Sequence, residues 1–458
     1  MLKKNHEIDM CNGPLLGKII IFSIPMILSG ILQLLYNAAD VIVVGRYSGS
    51  TALAAVGSTG SLTNLIISLF MGLSVGTSVT IAQYYGAGDW KNVSRVVHTS
   101  VATSFICGIF VSIIGIFMAE KFLIAMDTPY DVLDQAALYM RIYFIGVPAS
   151  MVYNFGSSIL RAAGDTRRPF IYLSLSGLVN VVLNLFFVIV FNMGVAGVAW
   201  ATVISQVLSA VLIITCLTQF NGPCRLVLKD IKIYRDKLWE IVKIGLPAGL
   251  QGSIFSISNV LVQSSVNSFG SAVVAGNSAA SNIEGFIYVS MNAIYNTALT
   301  FTGQNTGAKK YNRINRILGI CLSTVFVIGF GMGMLVLVFG RQLIGIYAPN
   351  NIEVIKYGMN RLSVITKTYF LCGMMDVMVG MLRGMGKSFM PMVVSVVGVC
   401  GIRISWIFIV FAQNRDLTTL YLSYPVSWFA TFLIHFITYF IIKKRIEAKE
   451  SILEVQPI

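Results

Sequence analysis

Two stretches of the sequence decide the fold, because one is a copy of the other. Residues 82–97 read AQYYGAGDWKNVSRVV, and residues 303–318 read GQNTGAKKYNRINRIL. Related residues recur between them at a constant separation of 221 positions, in the pairs Gln83/Gln304, Gly86/Gly307, Ala87/Ala308, Trp90/Tyr311 and Arg95/Arg316. Similarity at a fixed separation indicates an internal repeat.

A second pair of stretches extends the repeat over most of the chain. Residues 160–170, LRAAGDTRRPF, match residues 382–391, LRGMGKSFMP, at a separation of 222 positions. The segments SIPMIL at 23–28 and GLPAGL at 245–250 keep that separation. The same order of motifs therefore occurs twice, and we expect two halves of similar structure.

The composition places both halves in a membrane. Of the 458 residues, 56% are hydrophobic and only 11% are charged, and the mean hydropathy is +0.78. A soluble protein has about a quarter charged residues, whereas a helix of about 20 apolar residues crosses a bilayer. Twelve runs are apolar over such a length, near residues 18–44, 53–84, 96–119, 136–160, 169–191, 194–218, 239–268, 273–302, 316–340, 358–382, 391–412 and 419–442.

Twelve spans and one repeat predict the architecture. Because each half contains an even number of spans, six, both halves begin on the same side of the membrane. The repeat is therefore parallel, and an axis along the membrane normal relates the two halves. We expect an all-α polytopic membrane protein of two six-helix bundles, an architecture typical of transporters. The N-lobe is predicted over 1–218, a cytoplasmic basic linker over 219–238, and the C-lobe with a cytoplasmic tail over 239–458.

The basic excess reflects topology. The formal net charge is +14, but most lysines and arginines fall in segments that share one side of the membrane. Positive residues favour the cytoplasmic side, so both termini are predicted to be cytoplasmic and no nucleic-acid partner is expected. The first apolar run is too long for the core of a signal peptide.

Motifs of other protein classes are missing from the sequence. It has no phosphate-binding loop, no zinc-protease helix and no paired Cys–His pattern, so we expect neither an ATP-driven pump nor an enzyme. The seven cysteines lack paired spacing, and the three histidines do not cluster. We therefore expect no disulfide framework, no cofactor and no transition-metal site.

Several motifs resemble the multidrug and toxic compound extrusion (MATE) family. The similar segments are YNAADVIVVGRYSGSTALAAVG at 36–57, LRAAGDTRRP at 160–169, NVVLNLFF at 180–187, GVAGVAWATVIS at 194–205 and FTGQNTGAKK at 301–310. The resemblance covers about residues 14–445. It implies a twelve-helix antiporter that exports small organic cations in exchange for Na⁺ or H⁺. We expect the protein to act as a monomer in the plasma membrane, by alternating access.

Three acidic residues lie well inside predicted spans: Asp40, Glu284 and Asp376. A charged side chain at the centre of a membrane helix costs about 2.5–3.5 kcal/mol even on the most lenient scale. Such residues should therefore face the interior of a bundle and have a functional role. The alternative for each is a structural role, as an acid paired with a basic residue or at a helix break.

Asp40 is predicted to share its depth with three neutral polar residues. Asn180, Asn184 and Thr202 fall, like Asp40, within the outer halves of their spans, and the first two are one helical turn apart. Carboxylate, amide and hydroxyl oxygens suit a hard cation such as Na⁺ or a carboxyl group that takes a proton. The resemblance assigns the coupling site to the same four residues. Hydrogen bonding between helices is the alternative for the asparagines.

Other residues are candidates for substrate binding. Gln33, Tyr36 and Asn37 precede Asp40 by one or two turns and are predicted to line the same cavity. In the second half, Asp376 and Glu284 are predicted to attract a cationic substrate, with Arg403 as a partner for one of them. A flippase of lipid-linked precursors on a related fold is the alternative function. It should line its cavity with arginines that hold pyrophosphate, whereas the acids here favour cationic cargo.

Overall fold

The chain folds almost entirely into helices. The computed structural model describes residues 7–126, 128–349 and 351–455. Their α-helices are α1 Leu15–Tyr47, α2 Ser50–Ala87, α3 Trp90–Ala125, α4 Tyr130–Ala162, α5 Arg167–Leu185, α6 Gly194–Thr218, α7 Arg235–Asn267, α8 Ser271–Gly307, α9 Tyr311–Tyr347, α10 Ile352–Ile365, α11 Phe370–Gly384, α12 Phe389–Ser395, α13 Ile402–Trp406 and α14 Leu417–Val455.

These helices account for the twelve predicted spans. Within the described ranges, ten segments are long and apolar enough to cross a membrane. The pair α10–α11, bent by 48°, forms an eleventh. The 37-residue α8 is long enough for the twelfth, but polar residues such as Asn277, Asn292 and Asn296 lower its hydropathy. The predicted fold class, an all-α protein with twelve spans in two bundles, is confirmed.

Details of the backbone repeat along with the sequence. Gly49 and Gly270, which are 221 positions apart, both have positive φ, at 88° and 97°, immediately before α2 and α8. Two π-helical segments, Phe186–Val190 and Ile407–Phe411, keep the same separation. A π-helical segment is uncommon and needs a local cause. Its recurrence at matched positions shows that the two halves repeat in structure as well as in sequence.

The chain forms two compact units whose boundaries differ from the predicted lobes. Residues 1–9 and 24–252 make up the first unit, and residues 10–23 and 253–458 make up the second. The predicted lobes divide at the linker, whereas here the first half of α7 belongs to the first unit and the start of α1 to the second. The N-lobe and C-lobe therefore exchange the beginnings of their first helices.

Close packing in each unit explains this exchange. In the first unit, α7 crosses α2 at glycines, and a Cβ atom at Gly72 would lie 2.2 Å from the backbone nitrogen of Gly249. In the second unit, the Ser23 hydroxyl on α1 forms a 2.8 Å hydrogen bond with that of Thr297 on α8. Small residues allow membrane helices to approach closely, and hydroxyl groups add hydrogen bonds between them.

Candidate functional site

Asp40 lies on a polar face of α1 in the first unit. Gln33 is three and four residues before Tyr36 and Asn37, and Asp40 is four and three residues after them, which places all four on one side of the helix. Tyr36 is half-buried, and its hydroxyl donates a 3.2 Å hydrogen bond to the backbone oxygen of Ser174 on α5. That bond holds the polar face of α1 against α5.

A chain of hydrogen bonds connects Asp40 with the three other residues predicted for its site. The Asn184 amide donates to Asp40 Oδ1, and also to Asn180 Oδ1 at 3.3 Å. The Asn180 amide donates to Thr202 Oγ1 at 3.4 Å, and Thr202 in turn donates to the backbone oxygen of Val198 at 3.0 Å. Helices α1, α5 and α6 thus bring all four residues together in the order Asp40, Asn184, Asn180, Thr202.

The carbonyl oxygen of Asn184 is the unusual atom in this cluster. Asn184 is fully buried, and its Oδ1 atom accepts no hydrogen bond from any residue that the structure describes. A buried polar atom without a partner costs about 1–3 kcal/mol. A cation, or a proton donor placed between Asn184 and Asp40, would supply that partner. The donor set consists of oxygen atoms with one carboxylate, which fits a hard monovalent cation or a proton.

The backbone changes its winding next to this cluster. α5 ends at Leu185, and the π-helical segment Phe186–Val190 begins directly after Asn184 and Leu185. Such segments occur frequently at functional sites because they re-aim neighbouring side chains. The sequence offers no pattern for this feature.

Residues from α4 also approach Asp40, although the sequence did not indicate them. Tyr139 and Tyr143 stack with ring centroids 6.1 Å apart, and both interact electrostatically with Asp40. Gln33 and Asn37 are exposed on α1, and within the described residues no hydrogen bond joins either of them to Asp40. Their predicted role in lining a cavity stays a prediction.

In the second unit, Glu284 has a partner that was not predicted. Arg361 on α10 donates to both carboxylate oxygens of Glu284, at 3.0 and 2.7 Å, and both residues are buried. Arg361 also donates to Asn277 Oδ1 at 2.8 Å and faces the rings of Tyr421 and Tyr424 at 5.6 Å. The partner of Glu284 is thus Arg361 and not Arg403. This geometry is that of an acid paired across packed helices.

Asp376 and Arg403 take no part in this ion pair. Arg403 is buried, donates to Ser427 Oγ and Asn259 Oδ1, and lies 4.2 Å from the centre of the Tyr424 ring. Among the ion pairs of the described residues, neither Arg403 nor Asp376 has a partner. Asp376 is half-buried on α11, and Arg383 acts on it electrostatically. Its predicted role in attracting a cationic substrate stays a prediction.

Known proteins resemble the chain over most of its length. The family model described as MatE matches twice, at residues 25–186 and 247–409. The probable multidrug resistance protein YoeA of Bacillus subtilis is 26% identical over 435 residues, which are 93% of this chain and 94% of the relative. The probable multidrug resistance protein NorM of Thermotoga maritima is 25% identical over 86% of this chain and 85% of its own.

Solved structures show the same fold. A transporter of the MOP superfamily from Pyrococcus furiosus superimposes with a TM-score of 0.90 and 23% identity, over 96% of this chain and 98% of the other. The two matches to the family model coincide with the two halves of the internal repeat. Together with the twelve-span fold, they show that the chain belongs to the MatE family, the multidrug and toxic compound extrusion transporters.

Proposed function

We propose that this protein is a secondary antiporter that exports organic cations and drugs in exchange for Na⁺ or H⁺. The relatives named as multidrug resistance proteins support the export of small molecules. The proposed ion coupling rests on the cluster around Asp40. In that cluster the Asp40 carboxylate neighbours Asn184, whose Oδ1 atom accepts no hydrogen bond among the described residues. One site of this kind takes one positive charge.

The negative charge of Asp40 explains how the coupling ion and the cationic cargo would be exchanged. A bound Na⁺ would be held by Asp40 and by the oxygens of Asn184, Asn180 and Thr202. A proton would instead sit on the Asp40 carboxyl group. Either ion neutralises the carboxylate, and a state without the ion leaves a partly buried negative charge that favours cationic cargo. Because such coupling is reciprocal, the ion and the cargo weaken each other's binding.

Asp376 is the proposed substrate-attracting acid of the second half. Glu284 is neutralised by Arg361, so it adds little field to the surrounding space. Asp376 has no ion-pair partner among the described residues, although Arg383 acts on it electrostatically, so no direct contact with a basic residue blocks the approach of a cationic ligand. Its electrostatic neighbours include Tyr288, whose ring adds an aromatic surface for an organic cation.

The remaining features follow from the same proposal. The protein works as a monomer in the plasma membrane by alternating access, with both termini in the cytoplasm, where basic segments are favoured. It needs no cofactor and catalyses no chemical reaction. Its partners are the lipid bilayer and small organic cations.

The test is transport by the purified protein in proteoliposomes. Efflux of a cationic dye is measured under an imposed Na⁺ gradient without a pH gradient, and then under a pH gradient without Na⁺. Efflux driven by either gradient supports antiport, and the effective gradient identifies the ion. Scrambling of a lipid-linked oligosaccharide without gradient-dependent dye efflux would instead establish the flippase and overturn the proposal.

A further inference from the structure

An apolar groove lies on the first unit, and none of the residues that line it belongs to the Asp40 cluster. Helices α3, α4 and α6 border a space of about 700 Å³. Its walls include Ala102, Phe105, Pro148, Ala149 and Val211, and Thr215 is the one polar side chain among the residues that line it. A space with so few polar groups suits a hydrocarbon chain.

Close helix packing and small side chains on its walls shape the groove. α3 and α4 are in close contact at Gly108, where a Cβ atom would lie 2.5 Å from the Cα atom of Pro148. Next to this contact, Ala102 and Ala149 are too small to fill the space between the helices. Phe105 and Val211 stand at its edges with 55% and 56% of their surface exposed. The groove is therefore open at the surface of the first unit.

The linker between the two repeats covers one end of the groove. Leu228 and Ile231 line it, and both are exposed to the surroundings. Two hydrogen bonds fix the linker to α3: the backbone N–H of Val227 donates to His98 Nε2, and that of Tyr234 donates to Thr99 Oγ1, both at 3.1 Å. The part of the linker that covers this end of the groove is therefore held against α3 by hydrogen bonds.

Basic side chains surround this end. Lys229 and Lys232 directly follow the lining residues Leu228 and Ile231, and Arg225 donates a 3.3 Å hydrogen bond to the backbone oxygen of Thr218, at the end of α6. All three are exposed, and in the described part of the chain none forms an ion pair with a carboxylate. The apolar groove thus ends beside three exposed positive charges, which outnumber the one acid between Arg225 and Lys232, Asp230.

We propose that this groove binds one anionic phospholipid. An acyl chain lies along α3, α4 and α6, and the phosphate of the headgroup contacts Arg225, Lys229 and Lys232. Clusters of basic residues at the cytoplasmic end of membrane helices attract anionic headgroups, and arginine pairs well with phosphate oxygens. The bound lipid would join the linker to the bundle at the junction of the two repeats.

Competition between two lipids of equal chain length tests the proposal. The full-length protein in detergent is mixed with phosphatidylglycerol and phosphatidylcholine, and native mass spectrometry counts the lipids that remain bound. Each basic residue near an anionic lipid raises the binding constant for that lipid about fivefold. We expect the wild type to prefer phosphatidylglycerol by about tenfold or more, and the triple variant Arg225→Gln, Lys229→Gln, Lys232→Gln to lose most of that preference.

Two controls separate the headgroup from the chain. The triple variant Arg46→Gln, Lys121→Gln, Arg341→Gln removes the same charge from other exposed positions and should keep the preference. Ala149→Phe fills the groove and should lower the occupancy by phosphatidylglycerol several-fold. Val327→Phe, at a 67% exposed position of α9, should leave occupancy unchanged. If either test variant matches its control, the proposed lipid site is overturned.

Discussion

The ring of Tyr36 occupies the space where a side chain at position 177 would lie. A Cβ atom added to Gly177 on α5 would come within 1.8 Å of the Tyr36 ring atom Cε2. Gly177 is one turn before Asn180, so this contact sets the distance between α1 and α5 beside the Asp40 cluster. The glycine is required by packing and carries no chemistry of its own.

Gly177→Ala should therefore disturb the site without changing any polar residue. Overpacking of this kind typically costs about 1–3 kcal/mol, and displacement of Tyr36 should separate Asp40 from Asn184. We expect a lower thermal unfolding midpoint and a strong loss of gradient-driven dye efflux. Gly331→Ala is the matched control, because nothing lies within 4 Å of its added Cβ atom. Unchanged efflux in Gly177→Ala would contradict a role for this contact in placing Asp40.

Asp40→Asn should abolish coupled export while the protein still reaches the membrane. The substitution keeps the size of the side chain but removes its charge and its titratable proton, and it also removes the cost of burying a charge. Asn184→Ala and Thr202→Ala should be milder, since each removes a neutral oxygen at nominally about 1 kcal/mol. The measurement compares gradient-driven efflux with equilibrium dye binding.

The control for this charge change is Asp131→Asn at an exposed position in the first turn of α4. It should export at the wild-type rate. Wild-type coupled efflux in Asp40→Asn would show that Asp40 is not the coupling site, whatever the effect of the neighbouring amides.

The orientation of the chain can be tested by labelling. In a background without cysteines, Lys232→Cys should react with a membrane-impermeant maleimide only from the cytoplasmic side, and Asp131→Cys only from the outside. The expectation rests on the concentration of basic residues in the segments around the linker. The reverse pattern would invert the topology and the direction of transport. Asp127, four positions before Asp131, lies outside the described residues.

The sequence predicted those features that depend on position along a helix. Apolar run lengths gave the twelve spans, and equal depth in the membrane correctly grouped Asp40 with Asn184, which are 144 positions apart. The charge of an embedded carboxylate made Asp40 conspicuous in an apolar run. These properties are periodic or local, so they can be read from residue order alone.

The features that were not predicted depend on rotation about a helix axis and on the choice of neighbouring helix. The sequence shows Arg361 near the start of the tenth predicted span, but only the packing of α10 shows that it is buried against Glu284. Gly177 is one glycine in an apolar span, and nothing in the sequence shows that Tyr36 packs on it. The exchange of helix starts between the units likewise depends on contacts of Gly72 and Thr297 across helices.

The two embedded acids of the second unit should respond differently to neutralisation. Glu284→Gln leaves Arg361 as a buried charge without its partner, and breaking a buried pair in this way costs about 3–5 kcal/mol. We expect it to lower the thermal unfolding midpoint strongly and to impair export through loss of folded protein. Asp376→Asn breaks no ion pair, so it should keep the unfolding midpoint while export of cationic dyes falls.

A double variant distinguishes the structural role of Glu284 from a role in binding. Glu284→Leu combined with Arg361→Leu removes both charges, and apolar replacement of a buried pair is often neutral or stabilising. We expect the pair to recover most of the unfolding midpoint and of the dye efflux lost in Glu284→Gln. Asp376→Asn should show no such rescue by Arg361→Leu, since Arg361 is not its partner. Recovery of stability without recovery of efflux would mean that the Glu284 carboxylate itself serves the cationic substrate.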